Sequence, residues 1–140
     1  MEQADREQAA VNRYLVERIQ TAGPDELGLM LLRAADQAAV QCQEAIRAAR
    51  WDQVVRHGGL LQNIMAGLTE VTDKESREGQ TLRALYLYCW QQAVAAQQQH
   101  DPGVLDPVRA VLARLIAGLE AHARRQAEPA MAGGHVDFSG

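Results

Sequence analysis

With 140 residues, 47% of them hydrophobic but only 4% aromatic, the chain is long enough for one domain with its own core. Its net charge of −4, with 14 basic residues scattered among 18 acidic ones, excludes the basic surface that nucleic-acid binding or polybasic membrane attachment requires. No apolar run is long enough to span a bilayer or to serve as a signal peptide, which predicts a cytoplasmic protein without membrane insertion.

The N-terminal segment, residues 1–20, is predicted to form a short helical or extended cap. Leu15 and Ile19 lie at four-residue spacing, with Tyr14 beside them. The helix-start signal at Pro24 follows this segment, so the segment is not continuous with the first long helix. We expect it to dock on the domain, either as a permanent extra helix or as a displaceable cover over an apolar groove.

The first two long helices follow from apolar residues at three- and four-residue steps. The first is predicted to begin with Gly23 as its N-cap and to run to about Arg50. The second is predicted to begin beside it, with Asp52 as an acidic cap. Two adjacent glycines inside the second helix, Gly58 and Gly59, indicate either close helix packing or a local break, because glycine disfavours helix.

The third helix is predicted to start after a polar segment in which Asp73 or Ser76 supplies the cap. This helix is predicted to end in a polar stretch, which is followed by a turn at residues 101–103. The fourth helix carries an apolar stripe from Val104 to Leu119.

Four helices of similar length with short connections predict an all-α fold, an antiparallel up-down four-helix bundle. We assign the bundle to residues 21–125. The segment 126–140 lacks periodicity and contains proline, glycine and serine, so it is predicted to be a disordered tail.

The sequence carries no motif for catalysis or for a cofactor. Glu-x-x-His pairs, a haem-attachment motif and a glycine-rich phosphate loop are all missing, and the four histidines are far apart. Cys42 and Cys89 do not form a Cys-x-x-Cys pair and are predicted to be reduced and buried. The sequence therefore predicts neither an enzyme nor a metal or cofactor carrier.

The stretch LRALYLYCW, residues 82–90, places three aromatic residues within five positions. Consecutive helical residues point about 100° apart, so Tyr86, Tyr88 and Trp90 cannot all face one core. At least one is predicted to face outward, either incidentally or as an anchor for a partner.

Three stretches together resemble the flagellar secretion chaperone family FliS. YLVERIQTAGPDELGLMLL, residues 14–32, resembles the N-terminal signature of the family. LQNIMAGL, residues 61–68, and LRALYLYCWQQAVAAQQQHD, residues 82–101, are similar to two later motifs, in the same order and at the same separations. The resemblance extends over residues 14 to about 125.

The resemblance implies a cytosolic export chaperone that binds the C-terminal segment of flagellin, prevents its premature polymerisation and assists its delivery to the flagellar type III export gate. Flagellin and a component of the export gate are the implied partners, while a co-chaperone and a homodimer stay open. The alternative is a helical-bundle interaction or regulatory protein that acts through self-association or a co-chaperone.

The family also suggests that the N-terminal segment occupies part of the client site in the free protein. This fits Tyr14 and Ile19 as cover residues. The sequence leaves open which of the other candidates line the core and which line a client groove. The predicted partner-binding residues are Tyr14, Ile19, Ile64, Met65, Leu68, Leu85, Tyr86 and Tyr88.

Overall fold

The chain folds into four long α-helices. The computed structural model describes residues 3–7, 9–10, 13 and 24–139, and it contains no strand within them, which confirms the predicted all-α class. A 3-10 helix, Pro102–Leu105, joins the last two α-helices. The four are α1 (Pro24–Arg47), α2 (Trp51–Val71), α3 (Arg77–Gln99) and α4 (Asp106–Ser139).

Helices α2 and α3 run antiparallel, as contacts at their two ends show. Trp51 at the start of α2 stacks on His100 just beyond the end of α3, with ring centroids 4.2 Å apart. At the opposite end, the Arg83 guanidinium donates a hydrogen bond to the carbonyl oxygen of Thr69 at 2.8 Å.

Helices α1 and α4 are antiparallel as well. Arg33, near the start of α1, forms an ion pair at 2.9 Å with Glu120, far along α4. Later in α1, the Asp36 carboxylate lies 3.7 Å from the guanidinium of Arg109, near the start of α4. Helix α1 packs against α2 and α4, and α2 packs against α3, whereas α3 and α4 touch little. The predicted up-down bundle is thus confirmed, with one loosely packed seam between α3 and α4.

The core combines small side chains from α1 with larger ones from the other helices. Alanine and cysteine at the α1 positions bring neighbouring helices close, and aliphatic residues of α2 and α4 fill the space between them. Both cysteines are buried and unpaired, as predicted, and burial raises the pKa of both thiols, that of Cys89 to about 11. Fully buried members of the core include Ala35, Ala39, Cys42, Leu61, Met65, Cys89, Leu105 and Leu112.

A buried glutamine closes one end of the seam between α3 and α4. Gln43 is 1% exposed, and its amide nitrogen donates to the carbonyl oxygen of Pro102 at 2.9 Å and to the Asp106 carboxylate at 2.8 Å. Its amide oxygen accepts from the Arg109 guanidinium at 3.2 Å. Since the amide nitrogen and the amide oxygen both have hydrogen-bond partners, these bonds offset the cost of burying the polar side chain. Beside it the fully buried Leu105 of the 3-10 helix fills the space between the helices, and we call this region the closed end.

Helix α2 is unbroken at its glycine pair. Gly58 is buried, and a Cβ there would lie 2.6 Å from Cδ of Gln97 on α3. The Gln97 amide in turn donates to Oε1 of Gln62 at 2.7 Å, which holds it in place. Gly58 therefore permits close packing of α2 on α3, the first of the two predicted alternatives. A Cβ at Gly59 would meet nothing within 4 Å, so contacts within the bundle do not require that glycine.

Helix α1 ends at Arg47, earlier than the predicted Arg50. The cause is Ala49, whose φ of 54° lies in the left-handed region. The N–H groups of Ala49 and Arg50 bond back to the carbonyl oxygens of Ile46 at 3.1 Å and Ala45 at 2.9 Å, as in a Schellman helix end.

The predicted capping of α2 by Asp52 is wrong. Arg50 is the N-cap and makes no side-chain capping bond, because a guanidinium has no hydrogen-bond acceptor. Asp52 lies within the first turn, where its charge complements the positive end of the helix dipole. Gly23, the predicted cap of α1, lies outside the described residues.

Of the two candidate caps of α3, Ser76 is the one used, and Asp73 bonds to the turn that precedes the helix. The Ser76 hydroxyl accepts a hydrogen bond from the N–H of Gly79 at 3.0 Å, as an N-cap does. The Asp73 carboxylate accepts from the N–H groups of Glu75 at 3.0 Å and Ser76 at 3.2 Å, and these bonds, that of Glu75 first, lower the pKa of Asp73.

Helix α4 continues through Ser139, whereas the sequence predicts disorder from residue 126. Alanine at 127, 130 and 132, with Gln126 before them, gives this segment a helical preference that the proline and glycine signals concealed. The division into a cap (1–20), a bundle (21–125) and a tail (126–140) stays a prediction. Among the described helices, none is long and apolar enough to cross a membrane.

Candidate functional site

The loosely packed seam opens into a groove that we call the α3–α4 groove. Its volume is about 440 Å³. Aliphatic side chains and one tyrosine form its floor, and charged side chains stand at its rim. The lining residues are Leu32, Glu78, Leu82, Tyr86, Arg114, Leu115, Gly118, Leu119 and His122.

The groove exists because α3 and α4 are joined by a spacer. The 3-10 helix Pro102–Leu105 packs against α1, α3 and α4 at the closed end. Away from that end, the two helices lie apart, and the buried side chain of Leu32 on α1 lines the space between them. A Cβ at Gly118 would meet nothing within 4 Å, so this side of α4 faces open space.

One ion pair and one histidine–carboxylate contact hold α4 onto α1 beside the groove. His122 Nε2 lies 3.5 Å from the Asp25 carboxylate, and Arg33 pairs with Glu120. A Cβ at Gly28 would lie 3.3 Å from Leu119, which shows how closely α4 approaches α1. The α4 wall of the groove is therefore fixed to α1 rather than to α3.

The α3 wall is anchored by Tyr86. This side chain is 7% exposed, and its residue lines the groove. Burial, and to a lesser degree the nearby Cys89, raises the pKa of the Tyr86 phenol, so the phenol is neutral at physiological pH. The groove thus presents an apolar floor with a neutral phenol, which suits the apolar face of a partner helix.

The structure separates the predicted partner-binding residues into three groups. Met65 and Leu68 are buried in the core, and Ile64 and Tyr88 pack against it. Leu85 is half-buried on α3. Tyr86 alone among the described candidates lines the α3–α4 groove. Tyr14 and Ile19 lie outside the described residues.

The sequence did not identify most of the residues that line the groove as partner-binding candidates. Leu82, Leu115 and Leu119 were assigned to the apolar stripes of the third and fourth helices, and they do lie at the predicted spacing. Helical spacing marks an inward face but not the distance to the next helix. The distance between α3 and α4 depends on the Asp-Pro-Gly turn at residues 101–103. In the sequence, this turn is recognisable only as the end of the third helix.

Metal-binding clusters are missing from the described part of the chain. No group of three or more histidine, cysteine, aspartate or glutamate side chains there is placed to hold a metal ion.

Comparisons with known proteins agree with this geometry. The family model of the flagellar protein FliS matches residues 7–126, which is most of the chain and includes α1, α2, α3 and α4 as far as residue 126. A search among curated proteins finds no match. Because the family match covers both walls of the groove and the whole bundle core, the chain belongs to the FliS family of flagellar chaperones.

Proposed function

We propose that the protein is a cytosolic export chaperone whose α3–α4 groove binds an apolar face of the C-terminal segment of flagellin. The observation that carries this proposal is an apolar floor left open between two helices of an otherwise closely packed bundle. A partner helix laid into such a groove supplies the contacts that α3 and α4 do not make with each other.

Flagellin termini are amphipathic helices that polymerise by burying apolar faces against one another. A groove that covers one of these faces would prevent premature polymerisation in the cytoplasm. Ordering a disordered client segment costs about 2–5 kcal/mol, so binding in the groove is reversible and permits release at the export gate. Delivery to a component of that gate is part of the proposal.

We also propose that the N-terminal segment covers part of this groove until the client arrives. Helix α1 begins at Pro24, and Asp25 already contacts His122, a lining residue of the groove. Ile19 is five positions before Pro24, and five extended residues reach at most about 18 Å. The chain that carries Tyr14 and Ile19 is therefore attached beside the groove.

Filling the groove tests where the client binds. Gly118→Phe places an aromatic ring in the open space of the groove, and Gly67→Phe is its matched control, because a Cβ at either glycine meets nothing within 4 Å. Gly67 lies on the side of α2 away from α3. We expect Gly118→Phe to weaken binding of the flagellin C-terminal segment at least tenfold, about 1.4 kcal/mol, in calorimetry. We expect Gly67→Phe to bind as the unaltered protein does.

Circular dichroism of the same mixtures should show new helix as the client folds in the groove, and calorimetry should show a negative heat-capacity change. Equal affinity of the two phenylalanine variants would place the client elsewhere on the bundle. If the unaltered, folded protein gave no heat and no co-elution with the segment, the flagellin proposal would be wrong.

Removing the cover tests the role of the N-terminal segment. Deletion of residues 1–19 should raise the affinity for the flagellin segment, because the client no longer competes with Tyr14 and Ile19. An affinity that is unchanged or lower after the deletion would contradict self-masking.

A further inference from the structure

A second groove lies on the other side of α3, between that helix and α2, and we call it the α2–α3 groove. Its volume is also about 440 Å³. Ala66, Leu87 and Trp90 give it an apolar surface. Leu87 remains 49% exposed, and the core does not need its side chain, because Tyr86 and Cys89 belong to the buried face of α3. The groove therefore has room for an apolar side chain of a partner.

A guanidinium is held at the rim of this groove without a carboxylate partner. Arg83 is half-buried, and its Nη1 donates a hydrogen bond of 2.8 Å to the carbonyl oxygen of Thr69, which fixes its position. No ion pair in the part of the chain that the structure describes joins Arg83 to an acidic side chain. A guanidinium has several N–H donors, so Arg83 keeps donors for an anion from outside the chain.

Lys74 adds a second positive charge to the rim. It lies in the segment between α2 and α3 and lines the same groove. Glu70 is the one acidic residue that lines the groove, so basic side chains outnumber acidic ones there. The rim thus attracts an anion, and the apolar surface below it attracts the hydrocarbon part of the same ligand.

A ligand that matches both features carries a carboxylate next to an apolar group. The last residue of a protein chain has this chemistry when its side chain is apolar. We propose that the α2–α3 groove binds the C-terminal residue of the flagellin client, with its α-carboxylate on Arg83 and Lys74 and its side chain against Leu87 and Trp90. This inference rests on the proposed function, because the ligand is the end of the same client.

The two grooves are close enough for one client to occupy both. Leu82 lines the α3–α4 groove and Leu87 lines the α2–α3 groove. Five helical residues turn by about 500°, so these two side chains lie about 140° apart around α3. A helix with its side chains is about 10–12 Å wide, and about four extended residues span at most about 14 Å. A short extension of a client helix in the first groove therefore brings its C-terminus to the second.

Capture of the chain end would let the chaperone select the C-terminal segment of its client. An amphipathic helix from any part of a protein can fill an apolar groove, whereas the α-carboxylate occurs only at the end of the chain. The α3–α4 groove then supplies apolar contact area, and the α2–α3 groove supplies specificity for the end.

Blocking the client carboxylate tests this inference directly. The C-terminal segment of flagellin is prepared as the free acid and as the C-terminal amide, and calorimetry measures the binding of each to the full chain. We expect the free acid to bind about tenfold more tightly, because the amide lacks the charge that Arg83 and Lys74 recognise. Arg83→Gln should weaken binding of the free acid about tenfold and leave binding of the amide unchanged.

The matched control is Arg47→Gln, which removes one positive charge at an exposed position in the last turn of α1, away from this groove. It should keep the full preference for the free acid. Lys74→Gln changes an exposed side chain outside the helices, so it tests the same contact if Arg83→Gln disturbs the fold, and it should reduce the preference. Circular dichroism should show that all three variants remain helical.

The outcomes separate this inference from the proposed function. Equal affinity of the acid and the amide for the unaltered chain would overturn the inference and leave the flagellin proposal standing. A preference for the free acid that survives both Arg83→Gln and Lys74→Gln would place the carboxylate elsewhere and would also overturn it. If neither form bound the folded chain, both proposals would be wrong.

Lys74 allows a second readout, since it is the single lysine of the chain. A carbodiimide joins an amine to a carboxylate that it already contacts. We expect a crosslinked peptide that joins Lys74 to the α-carboxylate of the last flagellin residue, which mass spectrometry distinguishes from crosslinks to internal aspartate or glutamate. Crosslinks of Lys74 to internal carboxylates alone, or no crosslink to flagellin, would contradict the proposed contact.

Discussion

The two ends of the seam between α3 and α4 are built differently. At the closed end, the 3-10 helix inserts Leu105 between the helices, and Gln43 bonds α1 to the start of α4. At the open end, no element among the described residues fills the gap, and Leu115 and Tyr86 line a groove. Apolar residues at helical spacing thus form the closed core in one place and the lining of a groove in another, and the connecting segment decides which.

Truncating one leucine at each end should give the largest contrast. Leu105→Ala removes a fully buried side chain, and we expect it to lower the free energy of unfolding by about 2–5 kcal/mol. Leu115→Ala shortens a half-buried side chain beside open space, where little cavity forms, and should cost less than about 1.5 kcal/mol. Urea denaturation measures both. Equal losses would mean that the groove is packed as tightly as the closed end.

Removing one polar contact at each end of the seam should also lower the free energy of unfolding more at the closed end than at the open end, but by smaller amounts. Gln43→Ala leaves a partly buried carbonyl oxygen and a carboxylate without their donor, and should lower the free energy of unfolding by about 1–3 kcal/mol. Glu120→Ala removes an ion pair between side chains that are 56% and 38% exposed, and should cost less than about 1 kcal/mol. A reversed order in urea denaturation would show that the ion pair, and not the glutamine, fixes α4.

A histidine near the closed end should make stability depend on pH. Burial, and then the charge of Arg56, lower the pKa of His57, so the unfolded chain binds the proton more tightly than the folded one. The contribution of His57 to the free energy of unfolding is present above about pH 6.5, and it is lost as the pH falls toward the pKa of His57 in the folded state.

The free energy of unfolding should therefore decrease as the pH falls below about 6.5, and His57→Gln should make that decrease smaller. His122→Gln, at the open end, should leave the His57 contribution in place. A slope that is unchanged in His57→Gln would contradict the pKa shift.

Exchanging glycine and alanine should give the smallest effects. Ala49→Gly relieves a left-handed alanine in the turn after α1, and Gly118→Ala adds helix propensity where a Cβ meets nothing. Each should raise the free energy of unfolding by about 0.5–1 kcal/mol. Thermal unfolding of the two single variants and the double variant checks this, and the gains should add because the sites are far apart.

The sequence predicts the helices well because their apolar periodicity and cap residues are local signals. Ser76 caps α3, one of the two predicted alternatives, and Gly58 lies at a close helix contact. Asp52 does not cap α2, since the helix begins one residue earlier, at Trp51, with Arg50 at the cap position.

The groove was less predictable than the helices. Tyr86 was named as a partner-binding candidate and lines the groove, but Met65 was named as well and is fully buried. Which apolar positions remain open depends on how far α3 and α4 are held apart. That separation is a tertiary property of the Pro102–Leu105 spacer, and helical periodicity does not encode it.

The stack of Trp51 on His100 gives the protein a built-in optical reporter. The chain has two tryptophans, and the other, Trp90, lies on α3 and packs against the core. The ring centroids of Trp51 and His100 are 4.2 Å apart, so the fluorescence of Trp51 should change when the start of α2 and the end of α3 separate. Replacing Trp90 with phenylalanine leaves Trp51 as the single emitter, so the opening of this bundle end can be followed without an attached dye.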